Sequence, residues 1–258
     1  MRMRHLQDWI HQWDEESILA GVPGKGAFGG WYKTAIFLEQ AIASNLLVAG
    51  GAIDIYKCFD QLNRQLIYTR AKQAGMPARI LQAYSNYLEG MQVQFQVGDT
   101  IGRMHQDRAS LPQGCPFSMT MVALLFKPWV SMMHEAKVTP RCLADDLLIF
   151  ATGNQHQSRY INAMNTSKQY FADIGARIAD RKCFSFAGDP QSREFLAAYV
   201  WDQNGLQIPT VNHFRDIGGH LNLTAANNGN TLTDRMQKST LMVKRLRWLP
   251  LPLAFKEK

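Results

Sequence analysis

The stretch Arg141-Cys142-Leu143-Ala144-Asp145-Asp146-Leu147-Leu148-Ile149-Phe150 carries two adjacent carboxylates between a short apolar lead-in and a longer apolar run. A β-hairpin would lift such a pair to its tip, and alternation would let one Asp of the two face a given site directly. The uninterrupted run after the pair suits a strand covered on both faces. Carboxylates fixed at the end of a rigid sheet suit Mg²⁺, which takes oxygen ligands and shares them with phosphates. Asp also favours turns, and Asp-Asp before an apolar run is common, so the pair by itself reads first as a plain hairpin end. A second cluster is Ala52-Ile53-Asp54-Ile55-Tyr56-Lys57-Cys58-Phe59-Asp60. The bland reading makes Asp60 a helix N-cap and Phe59 core. Asp54 is harder to dismiss, because an acid within an apolar strand needs a partner or a metal. The third piece, Leu111-Pro112-Gln113-Gly114, is either a turn ahead of a helix or a backbone and amide platform, with Gly permitting close approach of a nucleotide.

Elements must position these groups. At 258 residues the chain can bury a substantial core in one main domain with an appendage. Its 28 basic against 21 acidic residues favour a polyanionic partner. Cys58, Cys115, Cys142 and Cys183 form no Cys-x-x-Cys pair, which argues against zinc ribbons and disulfide frameworks and for a reducing, intracellular setting. His213 and His220 read as surface or strand-end residues. No signal core or membrane-spanning run is evident, so a soluble chain is expected.

Residues 3–19 have the spacing of an amphipathic helix, through Leu6, Trp9, Ile10, Trp13 and Ile18. A glycine loop follows, then a helix over 31–48 broken by Gly50-Gly51, and a strand over 52–56. Helices are expected over 63–74 and 77–89, a hairpin over 91–108 turning at Gly98-Asp99, and a helix over 118–133 bent by Pro128. After the Asp-Asp hairpin come a helix over 155–174 stopped by Gly175, strands near 176–179, 183–187 and 195–201, and a basic helix over 234–248. The loop's Gly24-x-Gly26-x-x-Gly29, with Asp54 downstream, formally matches a dinucleotide fingerprint. That fingerprint needs a buried strand before its first glycine, and what precedes it is polar and helical. A Walker A loop fails on spacing and on the missing Ser/Thr after Lys25.

The pieces, taken in order, resemble the reverse transcriptase palm. AIDIYKCFD is similar to that family's first palm motif, LPQGCPFSM to the second and LADDLLIF to the third. GARIADRKCFSF resembles the fourth, with Lys182 at its lysine position, and FRDIGGHLN the primer-grip segment. GVPGKGAFGGWYKTAI looks like the fingers segment of non-LTR (LINE-type) retrotransposon enzymes. The resemblance covers roughly residues 20–225. It implies an α+β fold: a polymerase palm of antiparallel sheet backed by helices, with partial helical fingers over 1–225 and the start of a thumb or linker over 226–258.

The implied reaction is nucleotidyl transfer from a dNTP to a primer 3′-hydroxyl with two Mg²⁺ ions, Mn²⁺ being the alternative metal. Asp54 and Asp145 match the metal-binding positions, Asp146 the neighbouring acid, and the Ile55 carbonyl completes the site. Phe59 falls where a bulky ring blocks a ribose 2′-hydroxyl. Gln113 and Gly114 would contact the incoming nucleotide or the template. Lys182 would protonate pyrophosphate. Lys238, Lys244, Arg245 and Arg247 would begin a thumb tracking duplex phosphates. Two departures stand out: Leu143 replaces the family's aromatic residue, and residues 1–20 hold no counterpart of the triphosphate-binding fingers segment beyond Arg2, Arg4 and Lys25. The implied partners are an RNA template, a DNA primer and dNTP, with no membrane, inside a longer reading frame or polyprotein. The implied place is intracellular: the nucleus for a eukaryotic element, otherwise the cytoplasm. The alternatives are a catalytically inactive nucleic-acid-binding remnant and a group II intron type reverse transcriptase.

Overall fold

The computed structural model describes residues 2–106, 109–202, 205–224 and 230–246. A 3₁₀ turn over Arg2–Leu6 leads into α1 (Gln7–Trp13), followed by α2 (Ala27–Ala43) and strand β1 (Val48–Asp54). Next come α3 (Cys58–Gln61), α4 (Arg64–Gln73), α5 (Ala78–Glu89), the small hairpin β2 (Gln96–Val97) and β3 (Thr100–Ile101), and α6 (Pro116–Glu135). The hairpin β4 (Thr139–Leu143) and β5 (Asp146–Thr152) precedes α7 (His156–Asp173), a 3₁₀ turn over Asp180–Lys182, β6 (Phe184–Ala187) and α8 (Pro190–Ala198). The described chain ends with β7 (Thr210–Val211), the hairpin β8 (His213–Asp216) and β9 (Gly219–Asn222), and α9 (Asn230–Leu246).

The main sheet runs β4-β5-β1-β6-β7 and is antiparallel except for the last pair. Leu147 through Ala151 are all buried, as expected of a strand covered on both sides. One face packs on α6 and α7 through Ala49, Ile53, Leu147 and Ile149, against Phe126, Trp129, Tyr160 and Phe171. The other face, with Val48, Leu148, Phe150 and Phe186, is covered by α2 and by Phe214 and Leu221 of β8–β9. The mixed α/β architecture, a largely antiparallel sheet backed by helices, is the one expected from the sequence.

Several expected boundaries move. The first helix ends at Trp13, and Ile18 instead bridges Cys142. Among the described residues no strand precedes Gly24, and the dinucleotide fingerprint lacks the strand it needs there. The second helix starts at Ala27 and stops at Ala43, so Gly50 and Gly51 lie inside β1 and break nothing. The packing requires them: a Cβ at Gly51 would overlap the Tyr160 hydroxyl, and one at Gly50 would lie 2.6 Å from the Phe186 ring. Residues 176–179 give only the bridge Ile55↔Ile178. The expected strand over 195–201 is instead part of helix α8 and its exit: Asp189 caps the helix by accepting from the Ser192 N–H at 2.8 Å, and Pro190 opens it. Asp60 is not an N-cap, since α3 begins after Lys57. The hairpin's last residues, 107–108, lie outside the described residues.

Candidate active site

The β1–β5 register fixes the carboxylates. Asp54 pairs directly with Asp146 at the end of the ladder, after Ile53↔Leu147 and Ala52↔Leu148. Directly opposed residues project to the same face, so both carboxylates share the face that carries Leu148 and Phe150. Leu143 pairs with Asp146 and closes a two-residue turn, Ala144-Asp145, with Ala144 at φ 54°. The tight turn places Asp145 at the tip of the hairpin, adjoining Asp146 and just beyond the last rung of the ladder.

The 177–183 segment completes this end of the sheet. Tyr56 N–H donates to the Arg177 carbonyl and Ala179 N–H to the Asp54 carbonyl, each at 2.8 Å, while Ile55 bridges Ile178. The pairing carries Lys182 onto Asp54, its Nζ 3.2 Å from Oδ1 and 3.4 Å from Oδ2. Asp54 thus has the partner its apolar strand demanded. Asp146 reaches solvent, yet desolvation at its base, then the negative fields of Asp145, Asp216 and Asp54, push its carboxyl above the usual range against the pull of Arg141. The buried Cys58 thiol is pushed up to about 12, by burial first and then by Asp145, Asp54 and Asp60. The acids therefore concentrate negative potential at one end of the sheet.

Among the described residues no group of three or more His, Cys, Asp or Glu side chains is gathered closely enough to hold a metal ion. The donor set still fits Mg²⁺. Its oxygens are hard ligands, Lys182 stands on Asp54 as a cation, and Mg²⁺ commonly uses one or two carboxylates plus substrate phosphates rather than an all-protein cage.

The other expected residues divide. Phe59, half-buried on α3, accepts the Leu111 N–H through its carbonyl at 2.8 Å, which pins the Pro112–Cys115 loop beside it. Gln113 and Gly114 are exposed there, Gly114 at φ 86° with open space around its Cα. They line a 550 Å³ cleft with Tyr84, Tyr87 and Phe117. Lys238, Lys244 and Arg245 are exposed on α9, and Arg247 lies outside the described residues. Lys25 is committed to Asp14 at 2.6 Å and does not reach the carboxylates.

Sequence reasoning passed over Arg141. It is buried in β4, and its Nη1 and Nη2 each donate to one carboxylate oxygen of Asp216 on β8. The signal was the one used for Asp54, a charge within an apolar strand.

A mixed sheet with paired carboxylates at the end of its central strand and at the tip of the adjoining hairpin defines a polymerase-like palm. Residues 37–200, more than half of the chain, match the family described as "Reverse transcriptase (RNA-dependent DNA polymerase)". The chain belongs to that family. The fold is similar to apo telomerase from Candida tropicalis lacking its C-terminal domain, with TM-score 0.62 and 10% identity over 87% of this chain and 44% of that one. It is also similar to telomerase from Candida albicans bound to a fragment of telomeric RNA, with TM-score 0.59 and 11% identity over 86% of this chain and 37% of that one. The chain thus spans less than half the length of these structures. No curated protein matches it.

Proposed function

We propose that this chain is the fingers–palm part of an RNA-directed DNA polymerase of the non-LTR, LINE-type retrotransposon class, with residues 1–225 forming that unit and residues from 226 onward starting a thumb or linker. The observation that carries the reading is the register Asp54↔Asp146, with Asp145 in the turn between β4 and β5. The LINE assignment rests on the GVPGKGAFGGWYKTAI segment, and group II intron enzymes are the neighbouring class. A flanking reading frame that encodes an endonuclease supports the first, and one that encodes a maturase segment overturns it.

In this reading Asp54 and Asp145 would hold Mg²⁺, with the Ile55 carbonyl completing the site and Asp146, on the face of Asp54, as the supporting acid. Bound there, Mg²⁺ supplies Lewis-acid stabilisation of phosphate charge. The primer 3′-oxygen forms the new bond to the α-phosphorus of a dNTP, the bond from that phosphorus to the pyrophosphate oxygen breaks, and the hydroxyl proton passes to water. Lys182 leaves Asp54 to neutralise and protonate the pyrophosphate. Phe59 excludes a 2′-hydroxyl, and the Gln113-Gly114 backbone supports the incoming nucleotide. The exposed cations of α9 track the phosphates of the duplex.

The test is extension of oligo(dT) on poly(rA) with Mg²⁺ and dTTP, beside duplex binding at several salt concentrations. Metal-dependent extension supports the reading. Salt-sensitive binding with no synthesis overturns it in favour of a silent nucleic-acid-binding remnant.

A further inference from the structure

Among the described residues the hairpin β8–β9 forms a two-stranded sheet of its own, separate from the main sheet. At its base β7 pairs with β6, and Leu223 N–H donates to the Asn212 carbonyl at 3.0 Å. Its turn, Ile217-Gly218, has φ 43° and 84°, the left-handed pair of a type I′ turn. A β-branched residue rarely adopts that conformation, so this tip depends on its surroundings. Several side chains supply them, among them Arg235, whose guanidinium donates to the Gly218 carbonyl at the tip. The Trp31 indole of α2 fills the space that a Cβ at Gly219 would take. Arg141 grips Asp216, which closes the turn opposite Gly219, with both guanidinium Nη atoms. Arg141 Nη1 also donates to Thr34 Oγ1 of α2 at 3.3 Å, and that hydroxyl donates to the Gly30 carbonyl at 2.9 Å.

The place of this pair gives it its meaning. Arg141 is opposite Leu148 in the β4–β5 ladder, two residues along from Asp146 on the same face. The strand that carries the carboxylate hairpin thus also carries the anchor of β8–β9. Both charges are largely withdrawn from water, with 5% and 10% of their side-chain surface exposed. A buried ion pair is a weak source of stability compared with packed apolar groups, but a planar two-point fork fixes relative orientation.

We infer that Arg141 and Asp216 are a positioning pair, which sets the β8–β9 hairpin at a fixed place on the face of the sheet that carries Asp146 and so determines where the end of a growing strand lies. The second clause rests on the proposed nucleotidyl transfer; the first does not.

Hydrogen exchange and steady-state extension on the same proteins test it. In Arg141→Lys and Asp216→Asn, amides of residues 213–222 exchange at least about tenfold faster, while those of β1 and β5 keep their rates. The KM for primer–template rises about fivefold and the KM for dNTP stays within about twofold, a split that a smaller folded fraction cannot mimic. The apolar double variant, Arg141→Met with Asp216→Leu, melts at or above the wild-type temperature yet keeps the raised primer KM. Unchanged exchange in the hairpin, a uniform rise across β1 and β5, or a wild-type primer KM in the double variant overturns the pair. A wild-type chain that synthesises nothing counts against the polymerase reading and the second clause, while the exchange pattern still decides the first.

Discussion

Asp54 and Asp146 are cross-strand partners in the last rung of the β1–β5 ladder, and that one pairing brings two motifs far apart in sequence to the same end of the sheet. Everything inferred about the site follows from holding this register. A slip of β1 by one residue would turn Asp54 to the opposite face, among Leu147 and Ile149.

The register depends on close contact below it. Gly51→Ala is expected to lower stability by at least about 2 kcal/mol, because its Cβ would overlap Tyr160 Oη, itself bonded to Ser185 Oγ at 2.8 Å. Urea unfolding measures the loss. Adding Tyr160→Phe should return part of it, and an unfolding midpoint equal to wild type in Gly51→Ala would contradict the packing.

Phe59 governs sugar choice in the proposed site. Phe59→Val should raise rNTP incorporation relative to dNTP by about tenfold or more, read as the ratio of kcat/KM values. Because the Phe59 carbonyl, not its ring, holds Leu111, the loop should stay in place. A variant with unchanged discrimination would remove Phe59 from the role.

The helix cap at Asp189 gives a pH signature. Burial alone would raise its carboxyl, but the Ser192 hydroxyl beside it and the hydrogen bond from the Ser192 N–H, with the field of His156, outweigh burial and hold it below the usual range. A depressed folded value means stability that is present above the unfolded value and lost as pH falls through the folded one. Asp189→Ala should therefore cost about 1 kcal/mol at pH 7, a difference that shrinks below about pH 4. Thermal melts across pH check it, and a cost that is constant with pH would contradict the cap.

The sequence showed most clearly what is decided locally. Helices α4 and α5 have an Asn63 cap, Gly75 and Pro77 to mark their ends, and the hairpin around Asp145 was legible from its apolar flanks. Helix α8 was legible in principle from Asp189-Pro190, but the β-prone Phe195-to-Trp201 stretch masked it. Gly50 and Gly51 looked like breakers because the side chains that crowd them come from β6 and α7. Arg141 and Asp216 are 75 residues apart, and nothing local to either announces the other. The order of the motifs pointed to the candidate site; the long-range pair beside it needed the fold.

The most direct measurement is single-nucleotide addition to a primer on an RNA template with Mg²⁺, comparing wild type with Asp54→Asn and Asp145→Asn. The wild-type chain should extend the primer and lose that activity in EDTA. Each variant should be slower by at least about a thousandfold with its melting temperature preserved. Extension at the wild-type rate by Asp145→Asn would contradict the account.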